Sequence, residues 1–173
     1  MRWMWIDRVV ELVPGERIVC VKGVSLSEDH LSDHFAASGG RAATPIMPAS
    51  LIIEGMAQSA GILVGHAEGF REKVVLAKVG RAELDAEVLP GDQLRYSASI
   101  ESMTEVGAAT RGVVELIRPG GAGPTAPEEI GRIDLMFSHL DNNMAGQTFP
   151  EHNFVFGESF RTLLRASGVE IPG

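Results

Sequence analysis

The sequence predicts an α+β fold, one long enclosed helix with a curved antiparallel β-sheet wrapped around it. Three observations carry this. From Thr44 to Gly65 the chain reads TPIMPASLIIEGMAQSAGILVG, and Glu54 is the only charged residue in that run. A helix that is hydrophobic on most sides has to be enclosed. Two strand-like runs precede it and four follow. The simplest enclosure is an antiparallel sheet that curls around the helix, and such a sheet leaves an edge that dimerisation would cover.

The elements follow in order. Residues 4–13 and 16–25 read as two strands joined by Pro14-Gly15, a tight-turn pair. Residues 26–44 are irregular and end in a Gly/Ala-rich piece, AASGGRAAT. The central helix begins near Pro48, since proline suits a first helical turn, and spans about 48–66. Gly55 and Gly61 weaken its intrinsic propensity and imply a neighbour packed close against it. Strand patterns then cover 73–84, 92–104, 107–118 and 130–141, separated by Pro90-Gly91, Gly107 and the hairpin loop RPGGAGPTAPEE. The tail holds one short helix candidate, ESFRTLLRAS at 158–167. Residues 1–141 are expected to form a single domain, with 142–173 as an extension packed on it.

At 173 residues the chain suits one domain with a sizeable core. A formal net charge of -8 argues against broad binding to nucleic acid or anionic membrane. The run 46–65 is long enough to raise a transmembrane question. Pro48, Glu54 and Gln58 interrupt it and no basic flank anchors it, so a buried helix is expected instead. The N-terminus shows no signal-peptide pattern. The lone cysteine, Cys20, excludes an intrachain disulfide and favours a reducing, cytoplasmic location. In the alternating stretch RIVCVKGV it reads as a small core residue.

On the helix, Ser50, Glu54 and Gln58 fall four residues apart and share a face that Gly61 and Gly65 roughly continue. Such a stripe can simply meet water, or pair across a helix–sheet contact. It can also hold a carboxylate put to chemical use, because a buried charge is costly unless paired or functional. His34, in LSDHF, is the nearest upstream candidate partner for Glu54.

The stretch from His34-Phe35 through PIMPASLIIEGMAQSAG resembles the active-site segment of the FabA/FabZ-type 3-hydroxyacyl-[acyl carrier protein] dehydratases. The matching residues are His34, Phe35, Pro45, Met47, Pro48, Glu54, Ala57 and Gln58. IDRVVELVPGERIVCVKGVS resembles the family's opening hairpin, and AKVGRAELDAEVLPGDQL its strand and Pro-Gly-Asp turn after the helix. Glu54, where the isomerising FabA branch carries Asp, points to the FabZ branch.

The resemblance implies the hotdog fold and removal of water from a (3R)-hydroxyacyl thioester to give a trans-2-enoyl thioester. It implies His34 as the base and Glu54 as the acid, with an amide N–H at the helix start, Ala49, for the enolate oxygen. Ser50, Gln58, Phe35 and Met47 are the further substrate-site candidates, Gln58 as an orienter of Glu54. No cofactor or metal is needed, and the histidines show no metal-ligand spacing. The implied partners are an acyl carrier protein or CoA thioester and a second copy of the chain. That homodimer would form the active site at its interface, with further assembly into a trimer of dimers. The sequence departs from the family in two places. The gap between His34 and Pro45 is longer, by about the AASGGRAAT piece, and Ala49 stands where the family has Gly. Alanine there would be strained if the backbone needed φ > 0. A hotdog thioesterase and a non-catalytic acyl-thioester binder are the competing functions.

The remaining histidines read as structural or exposed: His30 on the surface, His66 at the helix end, His139 and His152 exposed or in the tail. Trp3 and Trp5, two apart, are expected to pack the sheet or an interface. Arg71, Lys73, Lys78, Arg81, Arg161 and Arg165 are candidate contacts for an acidic carrier, or ordinary solvated charges.

Overall fold

The structure, a computed structural model, describes residues 3–120, 123–140, 150 and 152–171. In chain order the elements are β1 (Arg8–Val13), β2 (Arg17–Gly23), α1 (Asp29–Asp33), α2 (Ala49–Ala67), β3 (Val74–Leu84), β4 (Gln93–Thr104) and β5 (Gly107–Ile117). Then come the short pair β6 (Pro119–Gly120) and β7 (Gly123–Pro124), β8 (Glu128–His139) and α3 (Glu158–Ala166). Among the described residues, six strands form one antiparallel sheet in the order β1-β2-β4-β5-β8-β3. α2 packs against β2, β3, β4, β5 and β8, so the sheet wraps around it as the hotdog arrangement requires.

Local chemistry sets the turns. Gly15 takes φ 72° after Pro14, and the Glu16 N–H closes on the Val13 carbonyl at 3.0 Å. At the second Pro-Gly turn Gly91 has φ 97°, and Asp92 accepts from the Leu89 N–H at 2.9 Å while its own amide bonds back to Leu89. This turn is the platform for the helix entry: the Met47 N–H donates to the Val88 carbonyl at 2.8 Å. The 118–129 loop folds into the β6/β7 pair, where Thr125 bonds Arg118 through both backbone and hydroxyl.

The first predicted strand begins late. Residues 3–5 lie off the sheet because a helix side chain takes their backbone instead, while the Asp7 N–H still donates to the Val21 carbonyl of β2 at 2.8 Å. Gln58 Oε1 accepts from the Trp5 N–H at 2.8 Å, and Gln58 Nε2 donates to the Trp3 carbonyl at 3.1 Å.

Leu51, Ile52, Met56, Ile62, Leu63 and Val64 are buried on α2, and each such side chain contributes about 1.5–3 kcal/mol. Cys20 lies in the core; burial pushes its thiol up to about 12, against a smaller lowering by a hydrogen bond with Ser59, so it is inert. Phe156, Leu163 and Leu164 from the tail enter the same core, while 141–149 and 151 lie outside the described residues. His139 does not behave as an exposed residue: it closes β8, is 1% exposed, and its Nδ1–H reaches the Glu105 carbonyl at 3.2 Å. Among the described residues no helix is long and apolar enough to cross a membrane.

Gly55 marks the close approach expected on α2. A Cβ there would sit 2.5 Å from the Tyr96 hydroxyl and 2.9 Å from the Trp5 carbonyl oxygen. Gly55→Ala should therefore destabilise by about 2 kcal/mol despite alanine's better helix propensity. In a thermal melt this reads as a drop of roughly 4–8 °C in Tm. An unchanged Tm would mean that Tyr96 yields freely. Gly61 is different, since its Cβ would meet only Phe137 at an ordinary 3.6 Å.

Candidate active site

α2 starts at Ala49 with Pro48 as its N-cap residue. Its first internal bonds run from the Leu51 and Ile52 N–H groups to the Pro48 carbonyl, at 2.9 and 3.3 Å. The amides of Ala49 and Ser50 precede those bonds, both residues are exposed, and the positive end of the helix dipole lies there. The strain that alanine would bring at positive φ does not arise: among the described non-glycine residues only Phe35 and Phe70 have positive φ. Met47 is 2% exposed, so its side chain belongs to the core, and its backbone is what shapes the helix entry.

His34 follows α1, whose last turn it closes through its N–H to the His30 carbonyl at 3.2 Å. The His34 Nδ1–H donates to the Ile46 carbonyl in a short bond. That assigns the tautomer: Nε2 keeps its lone pair and can accept a proton. The ring packs on Phe35 at a centroid distance of 4.3 Å, and Arg41 lies over Phe35 at 5.8 Å.

The longer His34–Pro45 gap is absorbed locally. The Thr44 N–H donates to the Phe35 carbonyl at 3.0 Å, so the extra residues leave and return at one point. Ser38 and Arg41 pair inside the loop, which is exposed throughout. Phe35, 46% exposed with φ 59°, takes the sharp bend.

Glu54 lies half-buried on the polar stripe. Its Oε1 accepts from Gln58 Nε2 at 2.9 Å and from Trp3 Nε1 at 3.1 Å. Gln58, 6% exposed, thus places all its polar atoms on Glu54, Trp3 and Trp5, and it orients the carboxylate. Two donors on one oxygen leave Oε2 as the oxygen that can carry and release a proton. Trp3 is the site residue that the sequence reading missed. It lies fifty-one positions from Glu54, and no local pattern signals such a contact. Trp3 also packs edge-on against Trp5 at 5.4 Å, and Trp5 against His30 at 4.9 Å. His30 is therefore half-buried and packed, not a free surface residue; desolvation lowers its pKa most, and the nearby Lys22 and His34 lower it further, against Glu28 and Asp29.

Within one chain, His34 and Glu54 are joined by no hydrogen bond or ion pair among the described residues. A cleft of about 250 Å³ opens beside Glu54 and runs along α2 past Ala57, Gln58 and Gly61. β3, Phe137 and the tail form its other walls. Of the basic residues near the helix exit, Lys73 is 4% exposed, which removes it from any docking face. Arg81 is ion-paired with Glu83, and Lys78 lies exposed on β3.

Residues 2–116 match the family of the FabA-like domain. The 3-hydroxyacyl-[acyl-carrier-protein] dehydratase FabZ of Geobacter metallireducens is 44% identical over 100 residues, 56% of this chain and 63% of that protein. The FabZ of Caldanaerobacter subterraneus is 33% identical over 136 residues, 78% of this chain and 86% of that one. Among solved structures, the dehydratase heterocomplex ApeI:P from Xenorhabdus doucetiae superposes with a TM-score of 0.56 at 17% identity, covering 79% of this chain and 83% of that one. A thioesterase superfamily member from Thermus thermophilus gives 0.53 at 15%, covering 74% and 83%. At such identities the structural likeness speaks to the fold.

Proposed function

The chain belongs to the FabA-like family, and we propose on that premise that it is a dehydratase of fatty-acid biosynthesis. It removes water from a (3R)-hydroxyacyl thioester, carried by acyl carrier protein or CoA, and leaves a trans-2-enoyl thioester. The observation that carries the reading is the paired preparation of its two reactive groups: His34 keeps Nε2 free to take a proton, and Glu54 keeps Oε2 free to give one.

His34 Nε2 removes the C2 proton. The electrons move toward the thioester carbonyl, whose oxygen receives the Ala49 N–H at the positive end of α2. Glu54 Oε2 gives its proton to the C3 hydroxyl, which leaves as water while the C2–C3 double bond forms. The site then resets when His34 loses its proton and Glu54 regains one. Phe35 backs the imidazole, and Ser50 lies beside Ala49 at the mouth. No step calls for a metal or organic cofactor. A reducing cytoplasm suits the single, buried Cys20.

Two copies pair through the exposed β3 edge, where Leu76 and Val79 are 40% and 41% exposed. His34 of one copy then works with Glu54 of the other, in keeping with the absence of a bond between them within one chain among the described residues. Purified His34→Ala and Glu54→Gln proteins, each inactive, should regain about a quarter of wild-type dehydration when mixed. Half the exchanged dimers are mixed, and each of those carries one whole site of two. A mixture that stays inactive, although mass analysis shows mixed dimers, would contradict the two-chain site.

A further inference from the structure

The tail lies beyond the 2–116 stretch that matches the family, yet Val155, Phe156 and Phe160 wall the cleft beside Glu54. Along α2 the cleft runs over Glu54, Gln58 and Gly61, one helical turn after another. The next position on the stripe is Gly65, and there the space is taken. A Cβ at Gly65 would sit 2.4 Å from the Phe156 ring. Phe160 packs edge-on against Phe156 at 5.9 Å and lines the same end of the cleft.

This plug is anchored. Asn153 donates to the carbonyls of Phe70 and Glu72, both at 2.9 Å, and accepts from the amides of Val155 and Phe156. Phe156 also meets Phe70 edge-on at 4.9 Å. At the far end of the tail, the Ser167 hydroxyl accepts from the Val9 N–H at 3.0 Å. The cleft's lining is polar at Glu54, Gln58 and Trp3 and aromatic at Phe156 and Phe160. A ligand with a polar reactive end and an apolar chain fits that gradient.

We propose that the tail, through Phe156 and Phe160, stops the acyl channel and restricts this protein to short and medium acyl chains. The inference rests on Glu54 marking the reactive end. From Glu54 to Gly61 the cleft follows α2 for about 10 Å, at ~1.5 Å per residue, before Phe156 takes the space over Gly65, so an extended chain longer than about 10 Å meets the plug.

The test separates binding from turnover. Saturated S-alkyl pantetheine thioethers of four, eight, twelve and sixteen carbons cannot react, and calorimetry gives Kd for each. Wild type should bind the twelve-carbon probe at least about tenfold more weakly than the eight-carbon one. Phe160→Ala, which removes a half-buried wall residue and leaves Phe156 in the core, should bring the two within about threefold. Gly61→Ala, whose methyl reaches Phe137 at an ordinary 3.6 Å and narrows the cleft, should shift the limit the other way. Its eight-carbon affinity should fall about tenfold relative to four carbons. The same ladder in all three folded proteins would overturn the proposal. So would sixteen carbons bound as tightly as eight, or no binding at any length. A protein that shows the expected ladder but dehydrates no hydroxyacyl thioester would instead contradict the dehydratase reading.

Discussion

His34→Ala is expected to lower kcat for dehydration by about 10²–10⁴-fold, the usual contribution of a positioned general base. The loss should fall on kcat, with KM nearly unchanged, because in the proposed mechanism the imidazole acts on the C2 proton in the transition state and adds little to ground-state binding. Stability should change by only about 1 kcal/mol. The ring is half-buried, and its Nδ1–H bonds the Ile46 carbonyl. Steady-state kinetics beside a thermal melt checks both parts. Activity within threefold of wild type would remove His34 from the mechanism, and a collapsed melt would show a structural role instead.

Glu54→Gln is the second large effect, again about 10²–10⁴-fold in kcat. The substitution is informative because it preserves one half of the carboxyl group's bonding. Glutamine keeps an Oε1 acceptor for the Trp3 indole and the Gln58 amide, the two donors that hold Glu54 now. It replaces the other oxygen with an amide that cannot deliver a proton. The side chain should stay in place and the fold should keep its stability while the chemistry stops. Retained dehydration would mean that another group supplies the proton to the leaving hydroxyl. Loss of activity together with a Tm well below wild type would mean that the Trp3–Glu54–Gln58 set is mainly a structural contact.

Much of this was legible in the sequence, for reasons that can be named. The long uncharged run with one carboxylate predicted an enclosed helix, and α2 is buried along most of Leu51–Gly65. Pro14-Gly15 and Pro90-Gly91 carry φ constraints that only a few turns satisfy, so their strands were readable within a few residues. The stripe at four-residue spacing placed Gln58 beside Glu54, where it forms a 2.9 Å bond.

What was hidden depends on long-range contact. Trp3 reads as a packing residue on a strand, but Gln58 draws residues 3–5 out of the sheet and lays the indole on Glu54. His139 reads as exposed or in the tail, yet the approach of Val106 and Glu105 buries it. The 36–44 piece reads as a threat to the site. In the structure it leaves and returns at one point, through the bond between Thr44 and Phe35. Composition also gave no sign that Phe156 would fill the space above Gly65.

The most direct test of the account is hydration of a four-carbon trans-2-enoyl thioester by the wild-type protein, followed by loss of the enoyl absorbance with the product identified by mass. A dehydratase gives reversible loss of the absorbance, a product heavier by one water, and no free thiol. Release of thiol with the enoyl group intact would make the chain a thioesterase, and an unchanged substrate on both carrier-protein and CoA forms would contradict catalysis at this site altogether.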